Sequence, residues 1–343
     1  MTKPLRFRAC ASITLVLSSL IVIGALALAS CGGTSTTAST SPSVAPSEVA
    51  ASPSAEPTQS TTPLPKASVA GTIAFTRVVR AGEGGNGDIY IINTDGTGLR
   101  RLTETPDSEG HPSWSPDGSR IVYDVYLADG ERANATVWVM NADGSGKGKL
   151  TKGAVAGGTP TWSPDGKRIV FMRCVLPSQR WAIFVMNPDG SGLKPVVKGS
   201  TDDYFPTWAP NGKILFLRLS DVFAVNPDGS GLVRLTKGGN VLNYALSPDG
   251  KDLAIQNAMS HRIEVIPAHG GGSRVTLLDP VSDFIADPWA ALAWTPDGKA
   301  LILATSEFYG EHGSRLYIVN ADGTGLSAVP GIDNADDPAW RPR

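Results

Sequence analysis

Pro112-Ser-Trp-Ser-Pro-Asp-Gly-Ser-Arg-Ile-Val-Tyr123 decides the fold, because close variants of its middle recur along the chain. Trp114-Ser-Pro-Asp-Gly118 is followed by Trp162-Ser-Pro-Asp-Gly166, Trp208-Ala-Pro-Asn-Gly212, Leu246-Ser-Pro-Asp-Gly250 and Trp294-Thr-Pro-Asp-Gly298, and a broken copy stands at Trp340-Arg-Pro-Arg343. The anchors Trp114, Trp162, Trp208, Leu246, Trp294 and Trp340 lie 48, 46, 38, 48 and 46 residues apart. A period of roughly 40 to 50 residues is that of a four-stranded propeller blade.

Each repeat reads as four short strands, which in the best-preserved copy are residues 112–115, 120–124, 136–141 and 149–151. Ser-Pro-Asp-Gly joins the first two as a tight turn, since Pro presets φ and Gly accepts a positive one. A second turn, Asn141-Ala-Asp-Gly-Ser-Gly146, recurs at Asn93, Asn187, Asn226 and Asn320 and joins the third strand to the fourth. Asp-Gly-Ser-Gly can also be read as an ion or phosphate loop, but five copies in five repeats favour hairpin geometry. The strands between are unbroken apolar runs such as Val137-Trp-Val-Met140, the pattern of sheets covered on both faces. Gly71-Thr-Ile-Ala-Phe75 matches a second strand with no first strand before it, while Pro338-Ala-Trp-Arg341 matches a first strand with nothing after it. The expectation is an all-β, six-bladed propeller of four-stranded antiparallel blades, closed by a composite blade from both chain ends.

At these residues the chain resembles the PD40 repeats of TolB-like six-bladed β-propellers, over about 270 residues and every blade. The resemblance implies a central channel with the Trp-bearing strand innermost in each blade. Leu246 in place of Trp, and Pro267-Ala-His-Gly-Gly-Gly-Ser273 in place of the second turn, depart from the pattern within one blade. TolB carries an α/β domain before its propeller, whereas this chain has a different lead-in.

Residues 1–30 contain Lys3, Arg6 and Arg8, then an apolar run, which is the pattern of an export signal. Leu28-Ala-Ser-Cys31 resembles the lipobox of bacterial lipoproteins and implies lipidation of Cys31, the alternative being an uncleaved membrane anchor. Both place the remainder outside the cytoplasm, tied to a membrane. Residues 31–69 are rich in Ser, Thr, Ala and Pro and read as a tether with a reach of roughly 35 Å. Residues 70–343 are the propeller. Without residues 1–30 the chain has 27 basic against 32 acidic residues, so nothing points to nucleic acid. Cys10, Cys31 and Cys174 form neither a disulfide framework nor a zinc spacing, and Cys174 reads as a packed, inert thiol.

Both recurring turns fall on one face of the ring, so recognition is expected on the other, where the second-to-third loops and the interblade segments differ from copy to copy. The candidate rim there comprises Glu109, His111, Asp203, Tyr204, Asp283, Asp287, Asp336 and Asp337 from interblade segments, with Arg132, Arg173 and Arg180 from loops. Carboxylates near the channel mouth suit a cation, a basic peptide or a sugar; turn capping by Asp is the plainer explanation. His111, His261, His269 and His312 are dispersed, no cofactor is implied, and nucleophile-elbow, zinc-protease and phosphate-loop motifs are missing. The leading expectation is a monomeric, non-catalytic envelope propeller binding a protein or peptide. The alternative is a secreted lyase, hydrolase or carbohydrate-binding propeller using the channel-mouth carboxylates.

Overall fold

A computed structural model describes residues 69–78, 86–127, 135–152, 157–175, 178–197, 201–269, 275–278, 291–306 and 314–342. Blade 1 takes β1 (Thr72–Val78), β2 (Gly87–Asn93) and β3 (Arg100–Arg101) from the start of this region. Blade 2 is β4 (Ser108–Trp114), β5 (Arg120–Tyr126), β6 (Thr136–Asn141) and β7 (Gly148–Lys149). Blade 3 is β8 (Gly157–Trp162), β9 (Ile169–Val175), β10 (Arg180–Met186) and β11 (Lys194–Pro195). Blade 4 is β12 (Tyr204–Trp208), β13 (Ile214–Arg218), β14 (Asp221–Val225) and β15 (Val233–Arg234). Blade 5 is β16 (Val241–Leu246), β17 (Asp252–Asn257), β18 (Ile263–Pro267) and β19 (Val275–Leu278). Blade 6 is β20 (Leu292–Trp294), β21 (Ala300–Ser306), β22 (Ser314–Asn320) and β23 (Ser327–Ala328).

The last strand, β24 (Ala335–Trp340), pairs antiparallel with β1 and completes blade 1 in the order β24-β1-β2-β3. Ile73 faces Trp340 in this register, and the Arg341 amide donates to the Thr72 carbonyl at 2.9 Å. The expected fold and its composite closure are therefore present. Strands β24, β4, β8, β12, β16 and β20 are the innermost of their sheets.

Both recurring turns close as their residues require. In blade 2 the Ser115 hydroxyl donates to Asp117 at 2.6 Å, Asp117 accepts the Ser119 amide at 3.0 Å, and Gly118 takes φ 64°. Those hydrogen bonds, the Ser115 hydroxyl first, hold the Asp117 carboxyl down at about 2. In all five second turns the Asp accepts the amide two residues on, as Asp143 does from Ser145 at 2.9 Å. The Asp-Gly-Ser-Gly carboxylates are thus engaged by their own hairpins, which settles that motif as a turn.

Core clusters form where neighbouring blades meet. Ala74, Ile89, Trp114, Ile121 and Tyr123 join blades 1 and 2, and Ile73, Phe75, Ala300, Ile302 and Trp340 join blades 6 and 1. Covering on both faces explains why β5 is buried at five consecutive positions. Cys174 on β9 is 4% exposed and disulfide-bonded, which replaces the expectation of a free thiol.

Inner strands start earlier than the sequence suggests. Ser108, Glu109 and Gly110 have weak strand propensity, yet they already pair with Tyr126, Val125 and Asp124. A bulge between Gly110 and Ser113 then resets the register. Equivalent shifts interrupt β8, β12, β16 and β24.

Candidate functional site

The bulges build the inner wall. His111, Thr159, Phe205 and Asp337 each precede a proline in an innermost strand and adopt φ of 48°, 50°, 51° and 50°. Left-handed backbone at a non-glycine residue is strained, most of all at a β-branched one, and such strain collects where a fold must aim a side chain. Four blades in succession, 1 to 4, carry this device.

Three of the four residues converge. The His111 imidazole lies between two carboxylates, with Nδ1 3.0 Å from Asp124 Oδ2 and Nε2 3.7 Å from Asp337 Oδ1. Asp337 Oδ2 also accepts the Thr76 hydroxyl at 3.1 Å and the His111 amide at 3.4 Å. Asp124 is fully buried, and its Oδ2 accepts the Thr159 amide at 2.9 Å. One chain of contacts therefore runs across blades 1, 2 and 3. Gly110 and Gly158 make room for it: a Cβ on Gly158 would lie 2.8 Å from Asp124 Oδ2.

The imidazole keeps 32% of its side-chain surface open although protein surrounds it. Burial is the largest influence on it and favours the neutral form. Asp124, then Asp337, and more weakly Asp336, outweigh that and push its pKa up to about 10. It is an imidazolium at neutral pH. A group held protonated that far above neutrality is a charge and a hydrogen-bond donor, and a poor general base.

Glu109 and Asp203, expected as rim groups, are instead buried at 2% and 1% exposure. Glu109 lies in the leading half of β4, and Asp203 immediately precedes β12. Asp203 forms a two-pronged ion pair with Arg218, at 2.6 Å from Nε and 2.8 Å from Nη2. Glu109 Oε1 accepts the Thr105 hydroxyl, while Oε2 is buried with no hydrogen-bond partner among the described residues. Burial above all, opposed by the Thr105 and Thr103 hydroxyls, pushes the Glu109 carboxyl up to about 7.

Tyr204 is half-buried beside Phe205, with ring centres 6.3 Å apart, and Asp336 is half-buried next to Asp337. Arg173 stacks over Phe184 at 5.5 Å, whereas Arg180 is exposed at the start of β10. Arg132, Asp283, Asp287 and Cys31 lie outside the described residues. Asp124 belongs to the site without having been singled out: its role depends on the register of β4 against β5, which no local pattern announces.

Residues 72–221 match the family model described as PD40, TolB beta propeller domain. Among solved structures, TolB from Acinetobacter baumannii is similar at 21% identity and a TM-score of 0.66, covering 80% of this chain and 67% of that one. A nidogen/laminin complex is similar at 12% identity and a TM-score of 0.59, covering 79% of this chain and 98% of that one. A puromycin hydrolase is similar at 14% identity and a TM-score of 0.51, covering 78% of this chain and 46% of that one. These likenesses show the fold. No curated protein sequence matches the chain.

Proposed function

From a six-bladed β-propeller with a TolB-type PD40 domain, we propose a non-catalytic binding module of the cell envelope. Its partner is a protein or peptide, met on the variable loop face and at the mouth of the inner wall. The observation that carries this is a pair of apolar loop tips on that face. Leu219 and Met259 are 73% and 77% exposed, the two most exposed large apolar side chains among the described residues.

They stand on neighbouring blades and share one segment. The Val241 amide donates to the Ser220 carbonyl at 2.9 Å, and the Ala258 amide donates to Asn240 at 2.7 Å. Leu219 and Ser220 form the two-residue turn between β13 and β14, with φ of 52° and 55°. Asn-Gly would suit that turn better, and a left-handed leucine costs about 1 kcal/mol. An apolar side chain held in a strained turn and in water is costly twice over, and partner contact is what offsets both.

Replacing the turn by Leu219→Asn with Ser220→Gly, together with Met259→Ser, should weaken capture of envelope protein by the full chain at least about tenfold. The melting temperature should hold or rise. Capture at wild-type strength would remove the apolar tips as the contact.

Anchoring through Cys31 is part of the same proposal and rests on the lipobox-like Leu28-Ala-Ser-Cys31. Cys31→Ser should leave the protein in the soluble fraction after cell fractionation, and a Cys31→Ser chain that still sediments with membranes would contradict the anchoring reading.

A further inference from the structure

Three blades mount an arginine on a pair of aromatic rings at one register position. In blade 1, Phe75 faces Tyr90, and Arg77 two residues on lies 5.6 Å from the Tyr90 ring centre. In blade 4, Phe216 faces Phe223, and Arg218 lies 5.2 and 5.6 Å from their ring centres. In blade 3, Phe171 faces Phe184, and Arg173 lies 5.5 Å from the Phe184 centre. Rings attract the flat side of a guanidinium but accept nothing in its plane, so its N–H groups need oxygens at the edge.

Residues on the two flanking strands decide where those oxygens come from. Arg218 stands opposite Asp221 on β14, and Asp203, just before β12, takes it in two prongs at 2.6 and 2.8 Å. Arg77 stands opposite Asp88 on β2 and Ala335 on β24, and its Nε donates to the Asp333 carbonyl at 3.2 Å. Arg173 stands opposite Ala182 on β10 and Gly157 on β8, so neither flanking side chain offers an acceptor. Among the described residues it has no hydrogen bond or ion pair, and burial alone moves its pKa, downward.

Glycine is not imposed at 157. Its φ is not positive, and a Cβ there would meet its nearest atoms at 3.4 Å, which is ordinary van der Waals contact. Blade 2 has the converse imbalance, with Glu109 in the register place of Asp203 and Val125 opposite it. The Glu109 carboxyl is sealed in and answers by keeping a proton. Arg173 has no such recourse, because a guanidinium stays charged, and it is half-buried rather than sealed. Arg180, exposed and on the same face of the sheet, adds a second positive charge toward the loop end.

We infer that Arg173 anchors a carboxylate of the partner polypeptide, which comes in at the loop end of blade 3, flanked by Gly157 and Ala182, and takes the place that Asp203 holds on Arg218. This rests on the loop-face reading above and names the chemistry of the contact. Leu219 and Met259 belong to blades 4 and 5, so the two contacts can fail separately.

The test is a calorimetric titration of the full chain with acetyl-Gly-Asp-Gly-amide. Binding should be millimolar or tighter, and the Asn peptide, alike in shape but uncharged, should bind at least about tenfold more weakly. Acetyl-triglycine, whose only carboxylate is its chain end, distinguishes the source: the tighter of the two carboxylate peptides identifies the partner group as an acidic side chain or a C-terminus. Arg173→Gln should abolish binding of both. Gly157→Asp should do the same by supplying the carboxylate in cis, and Ala182→Asp supplies it from the other flank if the first variant does not fold. The combined change at Leu219, Ser220 and Met259 should leave this titration unaltered. Equal binding of the Asp and Asn peptides, or unchanged binding by Arg173→Gln or by the folded Asp variants, would overturn the inference.

Discussion

Glu109 and His111 stand two residues apart on β4 and titrate in different ranges, so pH separates their effects. Below the ordinary value of 4.5, Glu109 is protonated in folded and unfolded chains alike. Between 4.5 and about 7 the unfolded chain releases the proton and the folded one keeps it, so stability falls as pH rises. The loss is on the order of 3 kcal/mol at most, and Glu109→Gln should remove it from a series of urea midpoints taken at pH 4 to 8. His111 acts higher. Its contribution is complete below the ordinary value of 6.5 and is lost as pH rises toward about 10. Asp124→Asn should pull the imidazole pKa down and move that decline toward neutrality, as a histidine proton titration by NMR would register. A decline unchanged in Asp124→Asn would place the charge elsewhere. The sequence offered His111, Asp336 and Asp337 as rim groups. Their convergence was not legible, because the His111 and Asp337 contact spans 226 residues and exists only once the ring closes. Glu109 and Asp203 misled for a related reason: an acidic residue beside Gly or Tyr reads as loop, whereas both positions lie where β4 and β12 begin, against a neighbouring blade.

At the scale of the strand, the bulge before each proline is where geometry was paid for in strain. Thr159 shows it most plainly, with a β-branched side chain at φ 50° and a buried hydroxyl that has no partner among the described residues. Thr159→Gly removes both penalties and adds the entropy cost of glycine, with an expected net gain of about 1 kcal/mol in a denaturation curve. A loss of stability would mean that threonine packing outweighs the strain. The turns were legible to the residue because Pro, Asp and Gly each perform a local task that the structure repeats blade by blade. The bulges were not, since x-Pro before Ser, Thr or Ala gives no local sign of left-handed backbone. Interblade arginines lay between these cases: Arg120 and Arg168 are visible in the repeat, but their task, stacking over Trp162 and Trp208, depends on the tryptophan of the following blade.

For the whole molecule, closure is the step on which cooperativity depends, because a ring of blades has no end only while β24 stays paired with β1. Removing residues 338–343 deletes Trp340 from the core between blades 6 and 1. It also deletes Arg341, which covers Trp114 and donates to Gly118 in blade 2. Both neighbours of blade 1 are therefore weakened at once, and β1 becomes an unpaired inner edge. Loss of one buried tryptophan costs about 3 to 5 kcal/mol, and the whole domain is stable by only about 5 to 15 kcal/mol. The truncated chain should lose its single cooperative transition or melt far lower, whereas Arg341→Ala, which leaves β24 in place, should cost about 1 kcal/mol. A truncated protein with an unchanged melting curve would show that the ring is held by its side-by-side packing alone. Near-equal effects of the two changes would place the closing energy in the Arg341 contacts with blade 2 rather than in the strand.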